Sequence, residues 1–302
     1  MDEHSVKLFH NSPFPNLSIG MTQEFADIIS NSPLKDIMKT PKTIVKVLFH
    51  YQLFLFTVMM LMSAQESHPR DELFRTCAGV AAERFHMESF FPKCELFGHV
   101  LDCWSHLLNF DEDLRSNLST RRLFATTTLT PCEFHIFLVV LDFQQPAFWI
   151  IDNIKRDVDT HDTYGLLPDI IHSYMSKYLR NVHHPNVKAF SHVPRQIPQL
   201  SWSTVNTSTD CGTLTMRHME TFMGGNIRDF KTGFKLESLA HENQLSRLRV
   251  IYLCKIINSD YNLLKESILH QVTKFQKLNA SNRKQLLKDA ATRIHDRLTE
   301  FG

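Results

Sequence analysis

The sequence predicts an α+β protein. Two short apolar runs flank a proline-containing break, HIFLVVLDF (135–143) and AFWII (147–151), and read as a β-hairpin. Segments on either side repeat apolar residues at helical spacing. A cysteine stands where an irregular stretch passes into one of those helical segments, in Asp210–Cys211–Gly212. Together these describe a sheet with helices packed on it and one helix that begins at Cys211.

The composition is that of a folded chain. Hydrophobic residues make up 43% and charged residues 22% of 302, enough to bury a core. Lys and Arg total 33 against 32 Asp and Glu, a net charge of +1. A nucleic-acid binder is usually basic, so none is expected as a partner. The six cysteines form no CxxC pair, which excludes a zinc ribbon and a thioredoxin motif. Reduced thiols and an intracellular protein are expected.

The first residues, MDEHSVKLFHNSPFPN, combine acidic side chains with no apolar centre, unlike a secretory signal. Residues 1–70 read as a poorly ordered segment with Pro13, Pro15, Pro33 and Pro41. Within them Val47–Ala64 is the most apolar stretch. Lys46, His50 and Gln52 leave its uninterrupted part, Leu53 to Met62, too short for the roughly 20 residues of a span. A buried element is expected there, and no membrane partner.

Residues 71–302 read as the folded domain. DELFRTCAGVAAERF has helix formers and an acidic start, so residues 71–110 are expected to be helical. Val100, Leu101, Trp104, Leu107 and Leu108 supply the apolar face. Asp111, Glu112 and Asp113, followed by Arg115, Arg121 and Arg122, read as a solvated loop. The 135–151 hairpin is near-continuously apolar, so its sheet should be covered on both faces. Residues 164–180 read as a helix, and Ala189–Val193 and Leu200–Val205 as strands separated by Pro194 and Pro198. Cys211 opens a helix stopped by Gly224 and Gly225, and the chain from about 243 onward is helical.

His135, Asp152 and Cys211 carry the chemistry. A cysteine in the first turn of a helix faces unpaired N–H groups and the positive end of the dipole, which favour a thiolate. Gly212 permits close approach. A histidine at a strand end can act as general base when a carboxylate on the neighbouring strand holds it, and the hairpin offers Asp152 for that. Nucleophile, base and orienter then follow the logic of a cysteine-protease triad. Asn153 replaces Asp152 if the register slips by one residue. Arg217 reads as a packing or salt-bridge residue, and His183 with His184 as a loop, not a metal site.

HIFLVVLDFQQPAFWIIDN with DCGTLTMRHMETFMG downstream resembles the ubiquitin-like-protein-specific (SUMO-type) cysteine protease family. The form DCGxxxMRHME is most similar to its plant and transposon-related branch. The resemblance is clearest over 95–225, with a helical extension beyond. It implies a papain-like or adenain-like fold: a central, mostly antiparallel mixed sheet flanked by helices. It implies a thiol peptidase that cleaves after the C-terminal glycine of a ubiquitin-like modifier, with catalytic His135, Asp152 and Cys211 and no metal or cofactor. It implies a nuclear or cytoplasmic site of action. Trp104, Ile136 and Trp202 are the implied substrate contacts, and Cys211 and Ser203 the implied oxyanion donors. The sequence departs from the family in two places. Ile136 follows His135 where the family often has Trp. Val205 stands near the place of the family's oxyanion Gln, with Gln196 and Gln199 further upstream. A modifier-binding pseudo-protease, a related acyltransferase and a helical scaffold with an accidental DCG are the alternatives.

Overall fold

The computed structural model describes residues 68–91, 94–114, 122–125, 136–155, 163–205 and 209–282, and single positions beyond to 296. The chain divides into two units, residues 1–65 with 270–293, and residues 66–269 with 294–302. The stretch Val47–Ala64 lies outside the described residues. Among those described, no helix is long and apolar enough to cross a membrane.

The second unit begins with a β-hairpin, where the sequence reading expected helix. Strands β1 (Glu72–Arg75) and β2 (Ala81–Glu83) pair antiparallel. Gly79, at φ +84°, lets the chain reverse, and Thr76 N–H donates to Val80 O at 2.9 Å. Distant residues override the local helix propensity. Asn262 donates to Leu73 O and accepts from Arg75 N–H, while Leu263 N–H donates to Arg75 O, so β1 is paired on its other edge as well. Leu73, Phe74 and Ala82 are buried.

Helix α1 (Arg84–Glu88) follows directly, and α2 (Gly98–Asp113) buries all five residues of the expected apolar face. Glu112 is not in a solvated loop. It is buried in the last turn of α2 and accepts from Arg122 Nε at 2.7 Å and from the Arg122 backbone N–H.

Strands β3 (Leu138–Asp142) and β4 (Ala147–Ile151) form the expected hairpin, in register from Leu138 opposite Ile151 to Asp142 opposite Ala147. Asp142 Oδ1 accepts from the Gln144 and Gln145 N–H groups and fixes the turn. Both faces are covered. Val139, Leu141, Phe148 and Ile150 pack with Tyr164 on one side. Leu138, Val140, Trp149 and Ile151 pack with Trp202, Phe222 and Phe230 on the other.

After α3 (Leu167–Asn181), residues 187–190 form the short helix α4 (Val187–Phe190) instead of opening the expected strand. Phe190 is buried against the rings of Phe143 and His172. The second expected strand, 200–205, forms no ladder. Pro194 and Pro198 cannot donate to one, and two isolated parallel bridges remain, Trp149 with Gln196 and Ile154 with Thr204. The sheet is therefore two antiparallel strands with an interrupted parallel edge, smaller than the sequence reading expected.

Helix α5 (Cys211–Thr221) is buried along most of its length. It ends before Gly224 and Gly225, both at positive φ. Helices α6 (Leu239–Ile257) and α7 (Lys265–Gln276) follow. The chain is thus a mixed α+β fold with small antiparallel sheets and a buried helix that begins at Cys211.

Phe148 is buried in the covered sheet, whereas Leu123 lies open to solvent. Phe148→Ala is expected to cost about 3–5 kcal/mol by urea denaturation, and Leu123→Ala less than about 0.5 kcal/mol.

Candidate active site

Cys211 is the first residue of α5 and only 3% exposed. The residue before it, Asp210, sits at the N-cap, where a carboxylate ordinarily accepts first-turn N–H groups. Here it makes no such bond. Its Oδ1 accepts from Arg249 Nε at 3.0 Å and Nη2 at 2.8 Å. Arg249 lies on α6, 1% exposed. Its guanidinium also donates to the carbonyls of Ser89, Phe91, Cys94 and Thr209. One buried cation thus joins three chain segments beside the thiol and draws the carboxylate off the end of the helix.

The next residue must be glycine for steric reasons. A Cβ on Gly212 would lie 2.8 Å from the Cβ of Leu96, so any side chain would push the helix start away from the 94–97 segment. The helix is held further along by Trp104 of α2, whose Nε1–H donates to Met216 O at 3.2 Å. At its far end Arg122 donates to the carbonyls of Met219, Glu220 and Phe222, which have no partner within the helix. Arg217, as expected, is an ion-pair residue: Nη1 meets Glu220 Oε2 at 2.7 Å and Nε donates to Thr232 O.

Asp152 follows β4 and is 3% exposed. Tyr164 Oη–H donates to Oδ2 at 2.7 Å, and Ile154 N–H donates to Oδ1 at 2.8 Å. The carboxylate is therefore fixed in one orientation. Asn153 directs its amide to Thr204 Oγ1 instead. His135 and Cys132 lie outside the described residues. Ile136, next to His135, is half-buried, and its carbonyl accepts from Thr215 Oγ1 at 3.4 Å. Thr215 stands one turn after Cys211, on the same face of α5.

Trp104 and Trp202 are both buried. Trp104 packs against Tyr252, and Trp202 against Phe230. The Trp202 indole N–H donates to Nε2 of His218 at 3.1 Å. His218 is fully buried on α5, about two turns past Cys211. An indole only donates, so Nε2 is the acceptor and a neutral ring carries its proton on Nδ1. Burial pushes His218 down to about 3, and the Asp152 carboxylate, acting the other way, does not offset it. Ser203 is half-buried, and its N–H donates to Leu200 O. Val205 is 69% exposed, and its N–H donates to Glu237 Oε2.

The sequence reading missed Arg249, Arg122, Tyr164 and the Trp202–His218 pair. Arg249 left a signal. Leu245, Arg249, Tyr252, Leu253 and Ile256 share one phase of α6 and are all buried, so this cation sits on the apolar stripe. The remaining described thiols carry no disulfide. Burial pushes those of Cys94 and Cys103 up, against ionisation. Among the described residues no three His, Cys, Asp or Glu side chains are grouped to hold a metal.

No protein-family model matches the chain, and no curated protein matches it. Solved structures do. The C-terminal Ulp1 protease domain in complex with Smt3, the yeast ortholog of SUMO, aligns at 11% identity. The alignment covers 70% of this chain and 95% of that one, with a TM-score of 0.46. SUMO protease Ulp1 with its catalytic cysteine oxidised to a sulfenic acid aligns at 12% identity, 70% and 95% coverage and a TM-score of 0.44. The sulfonic acid form gives 11%, 68%, 94% and 0.43. The chain is distantly similar in structure to these proteases.

Two outcomes are expected. Arg249→Met removes a donor shared by the Asp210 carboxylate and four carbonyls, and should destabilise the fold by about 3–5 kcal/mol in chemical denaturation. Arg249→Met with Asp210→Asn should lose less. His218 makes stability acid-sensitive. Unfolded, it titrates near 6.5; folded, near 3. Between these values only the unfolded chain takes the proton. Stability is therefore full above about pH 6.5 and falls as pH drops toward 3, by up to about 1.4 kcal/mol per pH unit. His218→Gln, which keeps an acceptor for Trp202, should flatten that slope in urea melts run from pH 7 to 4.

Proposed function

We propose that the chain is a thiol peptidase that cleaves after the C-terminal glycine of a ubiquitin-like modifier. Cys211 is the nucleophile, His135 the general base and Asp152 its orienter. The thiolate attacks the carbonyl carbon of that glycine, forming a thioester as its bond to the amine nitrogen breaks. His135 takes the thiol proton and returns it to the leaving amine, and water then releases the modifier from the thioester. The first-turn N–H groups at Cys211, with Ser203 beside the loop, hold the oxyanion. Asp210 is bonded to Arg249, not to those N–H groups, and this favours the assignment.

One observation carries the reading. The Thr215–Ile136 hydrogen bond ties the helix of Cys211 to the residue next to His135, on the face that Cys211 shares. The β3–β4 register adds the third member. Leu138, three residues after His135, pairs with Ile151, the neighbour of Asp152.

A second reading keeps the fold and loses the chemistry: a pseudo-protease that binds a modifier. It is favoured by Val205, whose side chain has no donor to offer where the resembled family places its oxyanion Gln.

Ubiquitin-like modifiers carrying a C-terminal electrophile separate the two. The expected result is a covalent adduct with the intact chain and none with Cys211→Ala. His135→Ala should slow adduct formation about 100-fold or more. Binding without an adduct would establish the second reading, and neither binding nor adduct with any modifier overturns both.

A further inference from the structure

The outward face of α3 is built unlike a solvated helix face, which is ordinarily polar. From the N-cap Leu166 to the C-cap Val182, large side chains recur every fourth residue: Leu166, Ile170, Tyr174, Tyr178 and Val182. All five are exposed, Tyr174 by 67%. They are not leftover core. The opposite side of the helix buries Pro168, Ser176 and Leu179, and His172 stacks on Phe148 of the sheet. Residues four apart form one continuous ridge, the kind that seats in the groove of a second helix. Over 16 positions the ridge runs about 24 Å. Exposed apolar stripes of this kind mark interaction surfaces.

Charge selects the occupant. Lys177 lies within the stripe, its Nζ 5.4 Å from the ring centre of Tyr174. Arg180 is exposed on the same helix, and Lys188 is exposed on α4. Between Thr163 and Arg195 the only acidic residue is Asp169, and Arg195 pairs with it at 3.2 Å. Among the described residues 163–195, the face therefore presents apolar anchors and cations with no carboxylate besides the paired Asp169. Tyr and Arg are the side chains that most often dominate protein interfaces. Nucleic acid fits less well. Three cations over about 24 Å fall far short of a duplex charge every 1.7 Å, and aliphatic Leu166, Ile170 and Val182 offer bases no ring to stack on. A lipid surface fits less well too, because a membrane-lying helix keeps its cations off the apolar stripe, whereas Lys177 sits inside it.

We propose that this face of α3 docks an acidic amphipathic helix of a partner protein. The partner's apolar side chains would lie along the Ile170–Tyr174–Tyr178 ridge and its carboxylates against Lys177 and Arg180. The inference does not depend on the catalytic reading.

The test is selection from a library of random peptides of about 16 residues against the full chain. The selected peptides are then titrated against variants. The expected peptides combine Asp or Glu with apolar residues at spacings of three and four. Their affinity should fall at least tenfold with Tyr174→Glu or Ile170→Asp, and measurably with Lys177→Glu. It should weaken as salt rises. Because these side chains are exposed, the variants should melt as the parent chain does, and circular dichroism checks this. Five results would each overturn the proposal. These are no selected peptide, peptides without acidic bias, and binding unchanged by the substitutions. The others are concentration-dependent self-association abolished by Tyr174→Glu, and binding of oligo-dT or phosphatidylserine vesicles lost with the same variants.

Discussion

The Arg249–Asp210 contact is the interaction on which the candidate site depends. An aspartate at a helix N-cap would ordinarily fold its carboxylate back on the first-turn N–H groups and neutralise the positive end of the dipole. A buried guanidinium offers it a stronger partner. Both Nε and Nη2 reach Oδ1, and the other donors take carbonyls from 89–94 and from Thr209. A buried arginine is costly unless its hydrogen bonds are made, and here its spread of partners makes them. The consequence is local: the Asp210 side chain faces Arg249 and makes no capping bond to the first turn of α5.

The same helix is fixed at its other end by a second arginine. Arg122 caps the terminal carbonyls and is itself held by buried Glu112 of α2. Between the two ends, Trp104 holds the middle at Met216 O, and Leu96 closes on Gly212. A helix pinned at the start, middle and end cannot slide along its axis without breaking bonds to buried groups. That bears on the proposed role of its first residue, since a displacement near 1 Å is enough to spoil reactive geometry. The sheet does the equivalent for Asp152, whose two oxygens are fixed by Tyr164 and by its own turn.

Much of this was legible in the sequence, and the reason differs from element to element. The 138–151 hairpin was visible because β-branched and aromatic runs on both sides of a Pro turn have few other uses. Helix α2 was visible because its apolar face keeps one phase. The start of α5 was visible in Asp210–Cys211–Gly212. The β1–β2 hairpin was not, because its residues are competent helix formers and what makes them strands lies near Asn262, far along the chain. The strand expected at 200–205 is reduced to a single bridge at Thr204, because its first residues turn instead of extending. Arg122 was taken for solvated charge, since nothing near it in sequence shows the carbonyls it would meet. The partner of His218, Trp202, is likewise set by packing and leaves no mark in the sequence.

The C-terminal helices change meaning in the light of these contacts. Read from the sequence, the residues after 225 form an extension to a domain whose chemistry is already complete. In the fold, α6 supplies Arg249, and the turn after it supplies Asn262, whose amide bonds Leu73 O and Ile257 O. Both side chains act as substitutes for backbone. Arg249 satisfies carbonyls that no strand or helix reaches, and Asn262 pairs with a strand edge that would otherwise stay open. The elements before α2 and the start of α5 are thus stitched to residues that come late in this unit. The support of Cys211 is consequently non-local. It forms only when α6 has docked, so the position of Cys211 is coupled to completion of the fold around it.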